Sequence, residues 1–459
     1  MTGLIWVLEA VVLGCLMGYR WTDLRAVQPA WAGWLLIFGA GTAGGIGVTS
    51  CLFFVSGVLL GSPVAALALE LAAVAWLGYE ALRRPLPQPQ TTGGTPPPVA
   101  LPWIAGGLLL ALGIATAAMA IAWDLNPHGN WDAWAIWNLR ARFLASPNGM
   151  AWRAWSPALG ATSHPGYPLL VSAFIGRCWA FSHNATQAVP LATSYAFFIS
   201  LIALAAGGLT VLRGPTLGIL GALVLVATPA LLHEVPTQYA DVPLASYLAG
   251  AMVFALLDRP MLVGIFAGFA AWTKDEGLLV LIVLLVATAV FQRRAIVPVV
   301  AGALPVALLA ASFKLLLSRG GAPQLSTNLP AAGHQLADVS RLGPIVAAFG
   351  REFVGMGTAW YHPVLPLLLL AIALRFDRER WREAAFCGAV AVTILLGFVG
   401  VYLVTANDLS WMLQTSLNRL LVQVWPALVL AGFISLRTPE GAAIFTPVPQ
   451  PKVRRKARA

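Results

Sequence analysis

The sequence predicts an all-α polytopic membrane protein with about 13 transmembrane helices and with juxtamembrane helices on the outer face of its first large loop. Three observations predict it. Of 459 residues, 59% are hydrophobic and only 10% are charged. Apolar runs repeatedly reach the roughly 20 residues a helix needs to cross a ~30 Å hydrocarbon core. The alternating patterns of about ten residues that mark a membrane barrel are absent, which leaves closed helices as the way to satisfy the backbone in lipid.

Residues 3 to 18, 31 to 58 and 63 to 82 read as three spans that form an N-terminal extension, 1 to 82. The first has neither a basic leading segment nor a small-residue cleavage pattern, so it reads as a retained helix. Residues 83 to 102 are rich in Pro and Gly and read as a linker. The main module, 103 to 436, begins with a span at 103 to 123 and continues after a polar loop, 124 to 186. Its further spans are 187 to 209, 215 to 232, 242 to 257, 260 to 273, 277 to 292, 295 to 317, 361 to 374, 384 to 404 and 418 to 436. Residues 437 to 459 form a basic tail.

Short loops rich in Lys and Arg stay on the cytoplasmic side. Arg20, Arg25, Arg83, Arg84, Arg213, Arg259, Arg293, Arg294, the Arg375 to Arg382 segment and the tail all sort to one face. The opposite face receives the 124 to 186 loop, the His233 to Asp241 loop, the Lys274 to Gly277 turn, the 318 to 360 loop and the Asn407 to Arg419 segment. Residues 167 to 182 are apolar enough for a span, but counting them as one would move Arg213, Arg259 and Arg293 outside. They are therefore expected to form an interfacial helix along the outer surface. The formal charge of +10 is mostly accounted for by the cytoplasmic anchors and the tail, which can touch anionic membrane lipid. No basic, aromatic-interleaved soluble domain supports a nucleic-acid partner. Cys15, Cys51, Cys178 and Cys387 are scattered and suggest neither a disulfide framework nor a zinc site.

Four motifs fall at helix ends on the outer face. They are Trp131-Asp132; His164-Pro165-Gly166-Tyr167-Pro168; the run from Ala227-Thr228-Pro229 through Tyr239-Ala240-Asp241-Val242-Pro243; and Gly264 to Gly277, closing on Trp272-Thr273-Lys274-Asp275-Glu276-Gly277. In that order, over about residues 103 to 295, the chain resembles the GT-C superfamily of membrane glycosyltransferases, nearest the branch of protein O-mannosyltransferases and the lipid A aminoarabinose transferase. Asp132 matches the acidic position after a first helix, His164-Pro165 the basic-Pro element, Asp241 the second-loop Asp and Thr273-Lys274 the Thr-Lys turn. The match departs where adjacent acidic residues are replaced by Asp132 alone, and basic-Pro-Pro has become His-Pro-Gly. The three helices before 103 have no counterpart. The resemblance implies that 103 to 436 is a catalytic module with 124 to 186 as its outer catalytic loop.

The residues suit that chemistry independently. Attack of a hydroxyl or amine on a sugar C1 carrying a lipid phosphate needs a carboxylate to take the proton and cations to hold the departing phosphate. Asp132 is the candidate base, with Asp241 the second catalytic candidate. Arg140, Arg142, His164, Tyr239, Lys274, Glu276 and Arg419 are the candidate substrate-binding residues, and an Arg fork suits phosphate oxygens. One base and a phosphate leaving group point to an inverting transfer. Asp132 and Asp241 also suit helix N-caps, and Asp is favoured there. The spacing of Trp131, Trp134 and Trp137 fits an interfacial belt as well as sugar stacking. Asp132, Asp241 and Glu276 are hard oxygen ligands on one face, so a divalent metal is conceivable, but no compact ligand cluster requires a metal or other cofactor. The expected partners are a polyprenyl-phosphate-linked sugar and a lipid, glycan or protein acceptor, at the outer face of the cytoplasmic membrane. The rival reading is a transporter or flippase of lipid-linked saccharides, against which stand the charges grouped on one face and the lack of an inverted repeat.

Overall fold

The computed structural model describes residues 2–83, 100–318, 332–356 and 362–439. The body of the Pro/Gly-rich linker and the tail from 440 onward lie outside the described residues. Most of the described residues are helical, and the helices used below are, in order, α1 (Thr2–Trp21), α2 (Ala30–Leu52), α3 (Pro63–Arg83), α4 (Leu101–Leu125), α5 (Asn138–Leu144), α6 (Leu170–Ser182), α7 (Ala188–Arg213), α8 (Pro215–Val226), α9 (Pro229–Thr237), α10 (Asp241–Leu256), α11 (Pro260–Thr273), α12 (Asp275–Phe291), α13 (Ile296–Ser312), α14 (Leu342–Gly355), α15 (Val364–Leu374), α16 (Trp381–Val404) and α17 (Leu409–Ser435).

Eight helices among the described residues are long and apolar enough to cross a membrane, which makes this a multi-pass membrane protein. They are α1, α2 with its continuation to Leu59, α3, α4, α7, α17 and the longer helices containing α13 and α16. The α8–α9 pair is long and apolar enough only when its two helices are taken together across a 61° bend, where Pro229 removes an amide donor and forces Thr228 into an extended conformation. The sequence expectation of thirteen is larger because α10, α11, α12 and α15 have only 16, 14, 17 and 11 residues. At 1.5 Å per residue, α10 reaches only about 24 Å and α15 about 17 Å.

The helix ends sort into two groups by their polar contacts. At one end Arg20 meets Glu80 at 3.8 Å, Arg213 pairs with Asp377 at 2.7 Å, and Gln292 donates to the Ala255 carbonyl at 3.1 Å. At the other, Asp132, Asp241, Lys274, Glu276 and Arg419 form linked ion pairs, and Lys314 pairs with Asp275 beside them. Helices α10 and α12 each have one terminus in each group.

The three N-terminal helices are part of the bundle and not an appendage. Ser200 donates to the Gly39 carbonyl at 2.7 Å, Tyr247 to Ala43 at 2.9 Å, and Ser50 to Leu170 at 2.7 Å, tying α2 to α7, α10 and α6. Glycines permit the approach: a Cβ on Gly45 would lie 2.0 Å from the Ala10 carbonyl oxygen of α1. Helix α6 corrects the interfacial expectation. Every residue from Leu170 to Trp179 is buried by other helices, and its Arg177 is fully buried against Glu70 of α3 and Glu9 of α1. A surface helix would have one wet face, whereas α6 has protein on every side over that stretch.

Candidate active site

A cavity of about 810 Å³ opens at the polar end, within the size range of small-ligand sites. Its wall includes Trp131 and Asp132, the 160–167 loop, Tyr239, the Lys274–Glu276 turn, Val401 and Tyr402 of α16, and Trp411 to Leu420 of α17.

Local structure explains how each side chain arrives. Gly129 takes φ +72, a left-handed conformation that favours glycine, and a Cβ there would meet the Thr237 carbonyl at 2.6 Å. Asn130 donates its amide to that carbonyl at 3.2 Å, and Gln238 donates to Pro127 at 3.1 Å. The start of the first loop is thus fixed on the turn before Asp241. Asp132 opens a π-helical turn, Ala133–Trp137, a wider coil often found at functional sites. Its carboxylate makes no capping bond and instead accepts from Arg419 at 2.7 Å.

Lys274 is the single extended residue between α11 and α12. Gly277 makes that tight junction possible, because a Cβ there would lie 1.7 Å from the Ala270 carbonyl oxygen. Lys274 Nζ bonds Asp241 Oδ1 at 3.0 Å and Glu276 Oε1 at 3.1 Å. Arg419 reaches Asp241 Oδ2 at 3.1 Å, and its guanidinium lies 4.2 Å from the Tyr239 ring centroid. One turn on, Gln423 also donates to Asp241 Oδ1. Lys274 and Arg419, 145 residues apart in sequence numbering, therefore share one carboxylate.

Asp241 takes a different place from the catalytic one expected. It is wholly buried, caps nothing, and has both oxygens occupied behind the cavity wall. Burial alone would raise its pKa, but the charges of Lys274 and Arg419 outweigh burial and hold the carboxyl well below the usual carboxylate range.

Two expected phosphate ligands also lie elsewhere. Arg140 is fully buried and donates to the carbonyls of Ala154 at 2.7 Å, His164 at 3.5 Å, Pro165 at 3.3 Å and Tyr167 at 2.6 Å. Burial pushes its guanidinium down to about 9. It holds the loop from behind and does not line the cavity. Arg142 lies over the Trp179 ring at 5.4 Å, again outside the cavity wall.

His164 does line the cavity, in a left-handed conformation with φ +42, stacked on Tyr167 at 4.5 Å. Tyr167 in turn stacks on Trp137 at 5.9 Å. Burial pushes the His164 imidazole below its ordinary value, against the pull of Asp132, so at neutral pH it offers hydrogen bonds more than charge. Glu276 lines the cavity, and its Oε2 is buried without a hydrogen-bond partner.

Sequence reasoning missed four residues. Lys314 bonds Asp275 and donates to the Gly166 carbonyl at 3.1 Å, completing with Arg140 the capture of four consecutive loop carbonyls. Its signal was a lone cation in an apolar span. Gln423 sits four residues after Arg419, a spacing that puts both on one helical face. Tyr402 and Ser416 are 2.8 Å apart in the wall, and nothing local marks them. Among the described residues no three His, Cys, Asp or Glu side chains come together as a metal site, and Asp132, Asp241 and Glu276 each bind a cationic side chain.

Comparison with protein-family models, curated proteins and solved structures finds no match to this chain in any of the three.

Proposed function

We propose that the chain is an integral membrane glycosyltransferase of GT-C type, moving a sugar from a polyprenyl-phosphate donor to a lipid, glycan or protein acceptor. The observation that carries this reading is the Asp132–Arg419–Asp241–Lys274 array: Asp132, Arg419 and Lys274 line one cavity, and Asp241 behind the wall holds both cations. In the proposed reaction Asp132 accepts the proton of an acceptor hydroxyl or amine as its lone pair forms the bond to the sugar C1. The C1–O bond to phosphate breaks, and the oxygen leaves with the electron pair. Arg419 and Lys274 stabilise the charge that develops on the phosphate. Attack opposite the leaving group inverts C1. The aromatic rings of Trp131, Trp411 and Tyr402 suit the apolar faces of a sugar.

The finer topology belongs to the same proposal. Helices α10, α11, α12 and α15 complete about 13 crossings, and the cavity opens on the outer face of a cytoplasmic membrane, since the Arg-rich ends lie at the opposite group of helix termini. The test is incubation of the purified full chain with a labelled polyprenyl-phosphate sugar, with release of polyprenyl phosphate as the expected result.

A further inference from the structure

At the cavity wall three carboxylates share two cations. Lys274 holds Asp241 and Glu276, and Arg419 holds Asp241 and Asp132. A phosphate brought to this wall meets cations that are already matched by a larger number of anions. It competes with those carboxylates for the cations, and displacing one of them removes the repulsion it would otherwise meet.

The pairs are not equivalent. Asp241 is wholly buried and Lys274 is 4% exposed, so opening theirs strands a charge in the interior. Asp132 and Arg419 face the cavity, with side chains 19% and 16% exposed. Arg419 Nη2 can leave Asp132 while Nε stays on Asp241 at 3.3 Å and the guanidinium stays over Tyr239. A flat, forked cation anchored along one edge is suited to exchanging one oxyanion for another along the next.

We propose that Arg419 exchanges Asp132 for the phosphate of a lipid phosphate ester, a diester in the donor and a monoester in the released carrier, so that arrival of the donor's phosphate releases Asp132 to serve as base. Asp241 is the positioning residue that holds Arg419 and Lys274 through the exchange. This inference rests on the glycosyltransferase reading of the site. It makes binding ordered, because the proton acceptor is masked by Arg419 until the donor's phosphate has bound.

The test is calorimetric titration of farnesyl phosphate, inorganic phosphate and farnesol into the purified full chain, wild type and Asp132→Asn. The variant loses the competing charge. It is expected to bind farnesyl phosphate about tenfold more tightly, equivalent to about 1.4 kcal/mol, with farnesol binding unchanged. A gain shared by inorganic phosphate assigns recognition to the phosphate group alone, and a gain confined to farnesyl phosphate assigns it to a lipid headgroup; both support the exchange. Equal or weaker binding by Asp132→Asn overturns it, as does failure of the wild type to bind either phosphate. Asp132→Ser carries the same test if Asp132→Asn does not fold. Adding Asp241→Asn is expected to erase the tenfold gain. Retention of that gain overturns the positioning role, since tighter binding cannot come from a damaged fold. The two readings fail separately. Tighter binding without release of polyprenyl phosphate by the wild type leaves the exchange and removes the transferase. Release by the wild type without tighter binding by the variant does the opposite.

Discussion

Asp132 and Arg140 lie eight positions apart in one loop and have opposite fates. Asp132 joins the cavity wall, while Arg140 turns away from it and gathers the carbonyls of Ala154, His164, Pro165 and Tyr167. Nothing in a single sequence distinguishes a guanidinium waiting for phosphate from one that binds backbone, because both sit among loop residues beside aromatics. Lys274 and Arg419 were legible because a cation at the end of an apolar helix has few uses. Their common anchor, Asp241, was read as chemistry because a buried carboxylate and a reactive one look alike until the partners are placed. His164 carries a pH prediction. Burial holds its folded pKa below the ordinary value of about 6.5, so the neutral imidazole predominates from pH 6.5 to 7.5. Farnesyl phosphate affinity over that window is therefore expected to change equally in the wild type and in His164→Gln, as measured by titration. A rise in affinity at pH 6.5 that the variant lacks would place the charged imidazole in the window.

Helix α6 shows what element-scale reading misses. Its apolar stretch and the charge sorting pointed to a helix lying on the surface. The deciding contacts are instead the Arg177 bonds to Glu70, 107 residues away, and to Glu9, 168 away. Such pairings are invisible to local periodicity. They make α6 the junction between the three N-terminal helices and the rest. Removing the guanidinium in Arg177→Met leaves the buried Glu70 carboxylate beside the partly buried Glu9, and breaking a buried pair costs about 3–5 kcal/mol. A lower midpoint of thermal unfolding in detergent is expected, with partial recovery when Glu9→Gln and Glu70→Gln are added. An unchanged midpoint would remove α6 from its role as a junction. Long spans such as α4 and α7 were legible to within a few residues because length and hydropathy alone define them. Helices α10 to α12 fall within two residues of the bounds read from the sequence, but at 16, 14 and 17 residues length alone does not make them spans.

At the scale of the molecule, membrane residence followed from composition, while the gathering of residues from 132 to 419 into one cavity emerged only from the fold. The proposed orientation predicts that, in a cysteine-free background, Thr162→Cys reacts with an impermeant maleimide added outside intact cells and Glu379→Cys only after lysis. The reverse pattern would place the cavity on the other face. The central claim is that Asp132 and the cations at this cavity transfer a sugar from a lipid phosphate. The most direct test is release of polyprenyl phosphate from a labelled polyprenyl-phosphate sugar by the purified chain and by Asp132→Asn. General-base loss is expected to lower turnover by about 10²–10⁴-fold while the melting temperature stays within a few degrees. Near-normal turnover by the variant, or movement of intact donor across a vesicle membrane without cleavage by either protein, would contradict it.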